Sequence, residues 1–437
     1  EARHDRAAEG DDLHRVRLEP PSRLVAEVVD VERWAGRTRW RDRDAVLGQR
    51  HLKPLRQRPR AAQNLIVDLQ GVLENLVDPR RKVIQMHWGG GTPTYMSPDQ
   101  IRDIFGTIRE KFPFAADAEI SIEIDPRTIT PEHLPALREA GFNRVSFGLQ
   151  DVNPEVQTTI NRIQTDEQNA FVINESRRLG FDSINIDLIY GLPHQTVDSY
   201  ERTLDKIIAW NPDRLAVFNY AHVPWLKKHQ KLLPVESMPD ASGRLRMLKL
   251  IIDRLTEAGY AYIGMDHFAK PGDELTKALR ERTLHRNFQG YSTRAEADMF
   301  AMGVTSISKL SGAYAQNLKS LAAYEAALDE GRLPTSIGLK LSHDDLLRQH
   351  VITEIMCNNR ILKRDVEQKF GIAFDSYFAD VPEKLNEFAL DGLVSLQPDR
   401  IEVGEAGRLV IRNIAMAFDA YIKPEAAQEK PIYSRTV

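Results

Sequence analysis

Six polar side chains that could do chemistry stand at or near the carboxyl ends of otherwise apolar runs: Glu123, Gln150, Asp187, Asn219 and the pair Asp266-His267. Carboxylates and amides accept hydrogen bonds from hydroxyl and ammonium groups, so a site that gathers them suits a small polar ligand. Just before them comes "MHWGGGTPTY", Met86 to Tyr95. Three glycines after a tryptophan either make a bend where no side chain fits or let the backbone close on a ligand. No Lys-Ser/Thr follows, so this is not a P-loop, and the spacing is not that of a dinucleotide fingerprint. A strand before it and a helix after it favour backbone approach to a ligand.

Further along, His285, Arg286, Asn287 and Gln289 crowd into five residues. They either receive a polyanionic substrate or form a solvated loop. The single cysteine, Cys357, falls on an amphipathic helix over 343–357 and reads as a buried core thiol. No Ser/His/Asp arrangement or close carboxylate pair stands out, which argues against a metal-free hydrolase.

The elements that must position these residues alternate. Strands are expected at Val83–His87, 118–125, 143–150, 183–191, 213–221 and 260–269, with helices between them. Ser97-Pro98-Asp99-Gln100 is a capping box with proline at the first helical position. Thr130-Pro131 caps the next helix, which stops at Gly141. Six strand–helix units argue for a parallel α/β sheet or barrel, whose ligands bind at the carboxyl ends of the strands. From about residue 342 the pattern turns helical, with a two-strand signal in "LVSLQPDRIEVG", as in a small winged-helix-like domain.

Residues 1–60 differ. They hold fourteen arginines, one lysine and eleven acids, and no Phe, Tyr, Ile, Asn, Met or Cys. Such a stretch offers too little apolar surface to offset its ordering entropy. A disordered basic arm is one reading. Out-of-frame GC-rich coding sequence is the preferred one, and the start at Glu1 rather than Met agrees with it. The division is therefore 1–63 aberrant or disordered, 64–340 a partial barrel, and 341–437 a helical accessory domain. The formal charge of −4 and pI near 6.4 give no global pull towards nucleic acid or an anionic membrane. No apolar run reaches a membrane span, and one cysteine allows no internal disulfide. A cytoplasmic monomer is expected, with neither nucleic acid nor membrane as partner.

Taken together, "HWGGGTPTY" (87–95), "SIEIDPR" (121–127), "FGLQD" (147–151), "NIDLIYGLP" (185–193), the 211–224 stretch, "GMDHFA" (264–269) and "HRNFQGY" (285–291) resemble the oxygen-independent coproporphyrinogen III oxidases, or coproporphyrinogen dehydrogenases, of the radical S-adenosylmethionine superfamily. The resemblance runs from about residue 64 to the C-terminus. Heme-chaperone relatives share the glycine loop and barrel but not the last two motifs.

The resemblance implies an incomplete (β/α)6 barrel binding two S-adenosylmethionine molecules. Their contacts would be Gly90, Gly91, Thr92, Glu123, Gln150, Arg162, Asp187, Ala221 and Ile307. The implied oxidoreductase reaction begins when a [4Fe-4S] cluster, fed by an electron donor, cleaves S-adenosylmethionine to a 5′-deoxyadenosyl radical. That radical takes a hydrogen from a propionate β-carbon of coproporphyrinogen III, an electron is removed, and carbon dioxide leaves a vinyl group. Two such turnovers give protoporphyrinogen IX in heme biosynthesis.

The family holds its cluster with three cysteines in a CxxxCxxC run after the first barrel strand, and this chain has no cysteine before Cys357. No metal ligand is therefore assigned, and the chain as written is expected to be inactive. The alternative is a non-catalytic S-adenosylmethionine- or tetrapyrrole-binding relative, like a heme chaperone. The first barrel strand belongs to the same arginine-rich stretch and is not readable there. Without it, strand 83–87 would be an open edge.

Overall fold

The computed structural model describes residues 81–295 and 297–422, and the backbone of 23–29. Six strands form the half-barrel in chain order: β1 (Arg23–Val29), β2 (Lys82–Gly89), β3 (Phe114–Ile124), β4 (Arg144–Gln150), β5 (Ser183–Tyr190) and β6 (Arg214–Asn219). Each pairs with the next in parallel. Five helices make the crossovers: α1 (Pro98–Lys111), α2 (His133–Ala140), α3 (Asp166–Arg178), α4 (Val197–Trp210) and α5 (Ala241–Glu257). Their starts are written locally. Ser97, Thr165 and Thr196 form capping boxes, each satisfying two backbone donors that the first turn leaves unpaired. The expected start at Thr130-Pro131 moves to His133, and the Thr130 hydroxyl donates to Glu132 Oε2 rather than capping the first turn.

Two expectations about the sheet are corrected. The 260–269 stretch is not a sixth parallel strand. It folds as a hairpin of β7 (Ala261–Gly264) and β8 (His267–Ala269), and β8 runs antiparallel to β6. The turn at Gly264 and Met265, both at positive φ, reverses the chain where the apolar run suggested continuity.

The segment 1–63, expected to be aberrant or disordered, contains β1; the rest of it lies outside the described residues. β1 pairs in parallel with β2 on one side and with β11 on the other. Strand 83–87 is therefore no open edge.

The polar stretch 284–308 also yields strands: β9 (His285–Asn287), β10 (Gly290–Ser292), β11 (Asp298–Met302) and β12 (Ile307–Leu310). β9 and β10 pair antiparallel as a separate two-stranded hairpin, whereas β11 and β12, with β13 (Ala313–Asn317) and β14 (Thr335–Lys340), extend the main sheet beyond β1. From His343 the C-terminal domain begins with α6 (His343–Asn358) and carries a three-stranded sheet of β15 (Arg360–Leu362), β16 (Val394–Leu396) and β17 (Arg400–Val403). Cys357 is buried there as expected. No helix among the described residues is long and apolar enough to cross a membrane.

The main core lies between the sheet and its helices. Trp88 is fully buried in it, with the Phe142 and Phe105 rings at 5.0 and 6.1 Å. Trp88→Ala should therefore destabilise the barrel by about 3–5 kcal/mol, the range for truncating a buried large aromatic. Urea unfolding followed by circular dichroism would measure it, and a loss below about 1 kcal/mol would contradict this packing.

Candidate active site

The strands turn alternate side chains to opposite faces. One face of β2 to β6 packs on the helices and is apolar. The other lines a lumen and is polar: Gln85 and His87 on β2, Glu119, Ser121 and Glu123 on β3, Arg144 and Ser146 on β4, Asn185 and Asp187 on β5, Arg214 on β6. His267, Asn287, Gln289 and Tyr291 close the same space, whose volume is about 220 Å³.

At the amino end the lumen is plugged by ion pairs. Arg144 meets Glu274 at 2.6 Å and Glu119 at 3.5 Å, and Arg214 meets Glu274 and Asp273, both at 2.8 Å. Burial opposes the charge on Glu274, but Arg214 and Arg144 overcome it and hold the carboxyl at about 2. Burial opposes Arg214 likewise, and Asp273 with Glu119 more than offsets it.

At the carboxyl end the glycine loop meets Glu123. Gly90 N–H donates to Glu123 Oε2 at 3.2 Å, while Oε1 lies 3.4 Å from His87 Nε2, and His87 Nδ1 is 2.8 Å from Ser121 Oγ. A Cβ on Gly89 would sit 2.5 Å from His87 Nε2 and 2.6 Å from Glu123 Oε1, so a larger residue there would make those two side chains shift, and Gly90 (φ 80°) takes a left-handed turn beside it.

Asp187 is level with Gly148 on β4 and Ala216 on β6. The Asn185 amide donates to it at 2.7 Å. Burial, then the Glu123 carboxylate, pushes its carboxyl up to about 7, against the pull of Asn185, His87 and Arg162.

Gln150 ends β4 at positive φ and folds back over Gly148, where an added Cβ would meet its amide at 2.5 Å. Arg162 donates to Gly148 O at 2.7 Å and lies 3.9 Å from Asp125. Thr92 is nearly buried where the loop ends. Ala221 lies just past β6, its carbonyl accepting from Gln230, and Ile307 opens β12. Gly90, Glu123, Gln150, Arg162 and Asp187 are thus tied together by contacts or strand register; Ala221 lies in the loop past β6 and Ile307 on β12 at the other side of the sheet.

The other candidates divide. Asn219 is at the end of β6, its Oδ1 buried without a partner among the described residues. His267 sits level with Ala216 and hence with Asp187, deeper than a rim residue. Burial, then Arg286, Arg214 and Arg412, pushes it down to about 3. Asp266 leaves the site altogether, pairing with Arg412 of the C-terminal domain at 3.0 Å. Asn287 and Gln289 line the lumen, whereas Arg286 turns to Met265 and the Tyr291 ring. His285 is not among the lining residues. The lumen residues not foreseen, His87, Ser121, Ser146, Asn185, Arg144 and Arg214, were marked by their alternation with apolar neighbours.

A parallel half-barrel with a polar lumen and a glycine loop at its carboxyl rim is the architecture of the radical S-adenosylmethionine class. Residues 51–207 match the radical SAM superfamily, and residues 341–410 match the HemN C-terminal domain. Oxygen-independent coproporphyrinogen III oxidase of Synechocystis is 48% identical over 366 residues, 83% of this chain and 78% of the relative. The Escherichia coli protein of that name is 46% identical over 357 residues, 82% of this chain and 78% of its own. The solved structure of coproporphyrinogen III oxidase (HemN) from Escherichia coli, described as a radical SAM enzyme, superposes with a TM-score of 0.82 at 41% identity, covering 92% of this chain and 91% of that one. The chain belongs to the oxygen-independent coproporphyrinogen III oxidase family.

Asp187 makes the ligand-free fold pH-sensitive. Its carboxyl is near 3.9 when unfolded and about 7 when folded. The stability this group contributes is fully present below the unfolded value and is lost as pH rises through about 7. The ligand-free protein should lose melting temperature between pH 6 and pH 8 relative to Asp187→Asn. Differential scanning fluorimetry of the two proteins side by side would check it, and parallel curves would contradict the assignment.

Proposed function

We propose that this lumen and its rim bind S-adenosylmethionine and coproporphyrinogen III. The site is built for oxidative decarboxylation of two propionate side chains to vinyl groups, giving protoporphyrinogen IX in heme biosynthesis without oxygen. The observation that carries this is the coupling of two carboxylates, Glu123 and Asp187, at a glycine loop whose backbone N–H already engages one of them.

The chain's residues fit the sulfonium cofactor. Gly90, Gly91 and Thr92 would offer backbone groups at close approach, and Gly89 keeps the space beside Glu123 open. Glu123 and Asp187 would accept from ribose hydroxyls or the ammonium. Gln150, Arg162, Ala221 and Ile307 would complete its surroundings. When bound and reduced by one electron, S-adenosylmethionine supplies the carbon radical that takes hydrogen from the substrate. The protein's share is to hold and orient the partners and to exclude water. Gly89→Ala should weaken S-adenosylmethionine binding by more than tenfold in isothermal titration, because His87 and Glu123 must shift; binding at wild-type affinity would count against this site.

The iron–sulfur group does not fit. Clusters of this kind are held by cysteine thiolates, and the 437 residues contain one cysteine. That one, Cys357, is buried in the C-terminal domain, where burial pushes its thiol up to about 12. Residues 30–80, which follow β1, contain none. The missing thiols favour a second reading for the chain as written, a non-catalytic binder of S-adenosylmethionine or tetrapyrrole.

Anaerobic reconstitution should leave the chain without a stoichiometric cluster and without turnover. Restoring a CxxxCxxC segment after β1 should yield both. A dithionite-bleachable visible absorption band at one cluster per unaltered chain would defeat this conclusion.

A further inference from the structure

The lumen is too small for the substrate. Pockets that enclose drug-sized ligands span roughly 300–1,000 Å³, and the lumen holds about 220 Å³. It can admit one side arm of a tetrapyrrole but not the macrocycle. The ring and its other arms must rest on the rim.

The loop of residues 221–237, which follows β6, is built for this. Both ends are tied to the carboxyl rim beside Asp187's strand: Tyr220 N–H donates to Tyr190 O at 2.8 Å, and His194 N–H to Ser237 O at 2.9 Å. Its interior is held by buried Gln230, which accepts from Val223 N–H at 2.6 Å and donates to Ala221 O at 3.0 Å. On this fixed frame the loop presents Trp225, Leu226 and Leu232 at 44%, 59% and 79% exposure. Between them stand the exposed cations Lys227, Lys228 and Lys231. No acid occurs from Arg214 to Val235, in a chain whose formal charge is −4. Large apolar groups held out in water among lysines match a ligand with an apolar body and several anionic arms.

We propose that this loop is the seat of the macrocycle. Trp225 and Leu226 take an apolar face of the ring, and Lys227, Lys228 and Lys231 take the carboxylates that are not reacting. The arm to be decarboxylated reaches over the carboxyl rim into the mouth of the lumen. This rests on the substrate class proposed above. It adds that these lysines select for carboxylate number: a tetracarboxylate substrate binds better than its dicarboxylate product, so decarboxylation weakens the hold and the product leaves.

Coproporphyrin III, the air-stable aromatic tetracarboxylate, tests this by fluorescence titration of the 437-residue chain, with no cluster needed. The triple variant Lys227→Gln/Lys228→Gln/Lys231→Gln should bind it about ten- to a hundredfold more weakly, as expected for the loss of up to three exposed charge contacts. Its binding should also lose most of its salt dependence. Protoporphyrin IX, a dicarboxylate, should bind the wild type more weakly and be less affected by the variant. Lys249→Gln, on exposed α5 away from the rim, should change nothing, and S-adenosylmethionine binding should be equal in all three proteins. Wild-type affinity for coproporphyrin III in the triple variant, or an equal loss from Lys249→Gln, would overturn the role of the loop while leaving the family reaction standing. No binding of coproporphyrin III by the wild type, with S-adenosylmethionine still bound, would overturn the substrate assignment itself and the loop with it.

Discussion

A strand in this barrel has two faces, and the inner one is the costly one. Polar groups removed from water must find partners, so a polar lumen stays folded only if its side chains satisfy each other across strands. They do so in layers. Arg144, Glu119, Arg214 and Glu274 neutralise each other at the base. His87, Ser121, Ser146 and Asn185 share hydrogen bonds at mid-height. Only the top layer, Glu123 and Asp187, is left with like charges close together and the proton affinity of Asp187 raised. The electrostatic tension that a ligand could relieve is therefore concentrated at the rim, where the glycine loop opens.

The C-terminal domain helps fix this arrangement from outside. Arg408 donates to the Tyr262 and Ile263 carbonyls at 2.6 and 3.2 Å, Arg412 pairs with Asp266, and Tyr291 Oη donates to Met356 O at 3.1 Å. These contacts hold the β7–β8 hairpin and thereby His267, which faces the lumen opposite the first strands. A residue that looks like part of the site from its sequence neighbourhood, Asp266, is in fact part of the clamp. Asp266 lies in the hairpin turn ahead of β8, whereas His267 is the first residue of that strand.

Much of this was legible because period-two alternation and helix caps are local signals. The strands from Val83 to Ala221, the capped helices between them and the placement of Glu123, Gln150 and Asp187 near strand ends all follow from such patterns. What was not legible depends on long-range pairing. β11 is five wholly buried residues, Asp298–Met302, with no alternation to mark it, and it is a strand because β1 lies beside it. The 260–269 run reads as one apolar strand, yet positive φ at Gly264 and Met265 breaks it. Among the clustered candidates at 285–289, Asn287 lines the lumen and Arg286 does not, which depends on how β9 pairs with β10.

Strand β1 carries a wider lesson. Sheet hydrogen bonds are made by backbone groups, which every residue but proline supplies in full, so a strand's place between two neighbours asks little of its side chains. Ligating iron asks for particular sulfur atoms. A segment can thus complete a sheet without supplying any atom to the chemistry at its rim. Shape and reaction make separate demands on a chain, and a whole shape is by itself weak evidence of the reaction.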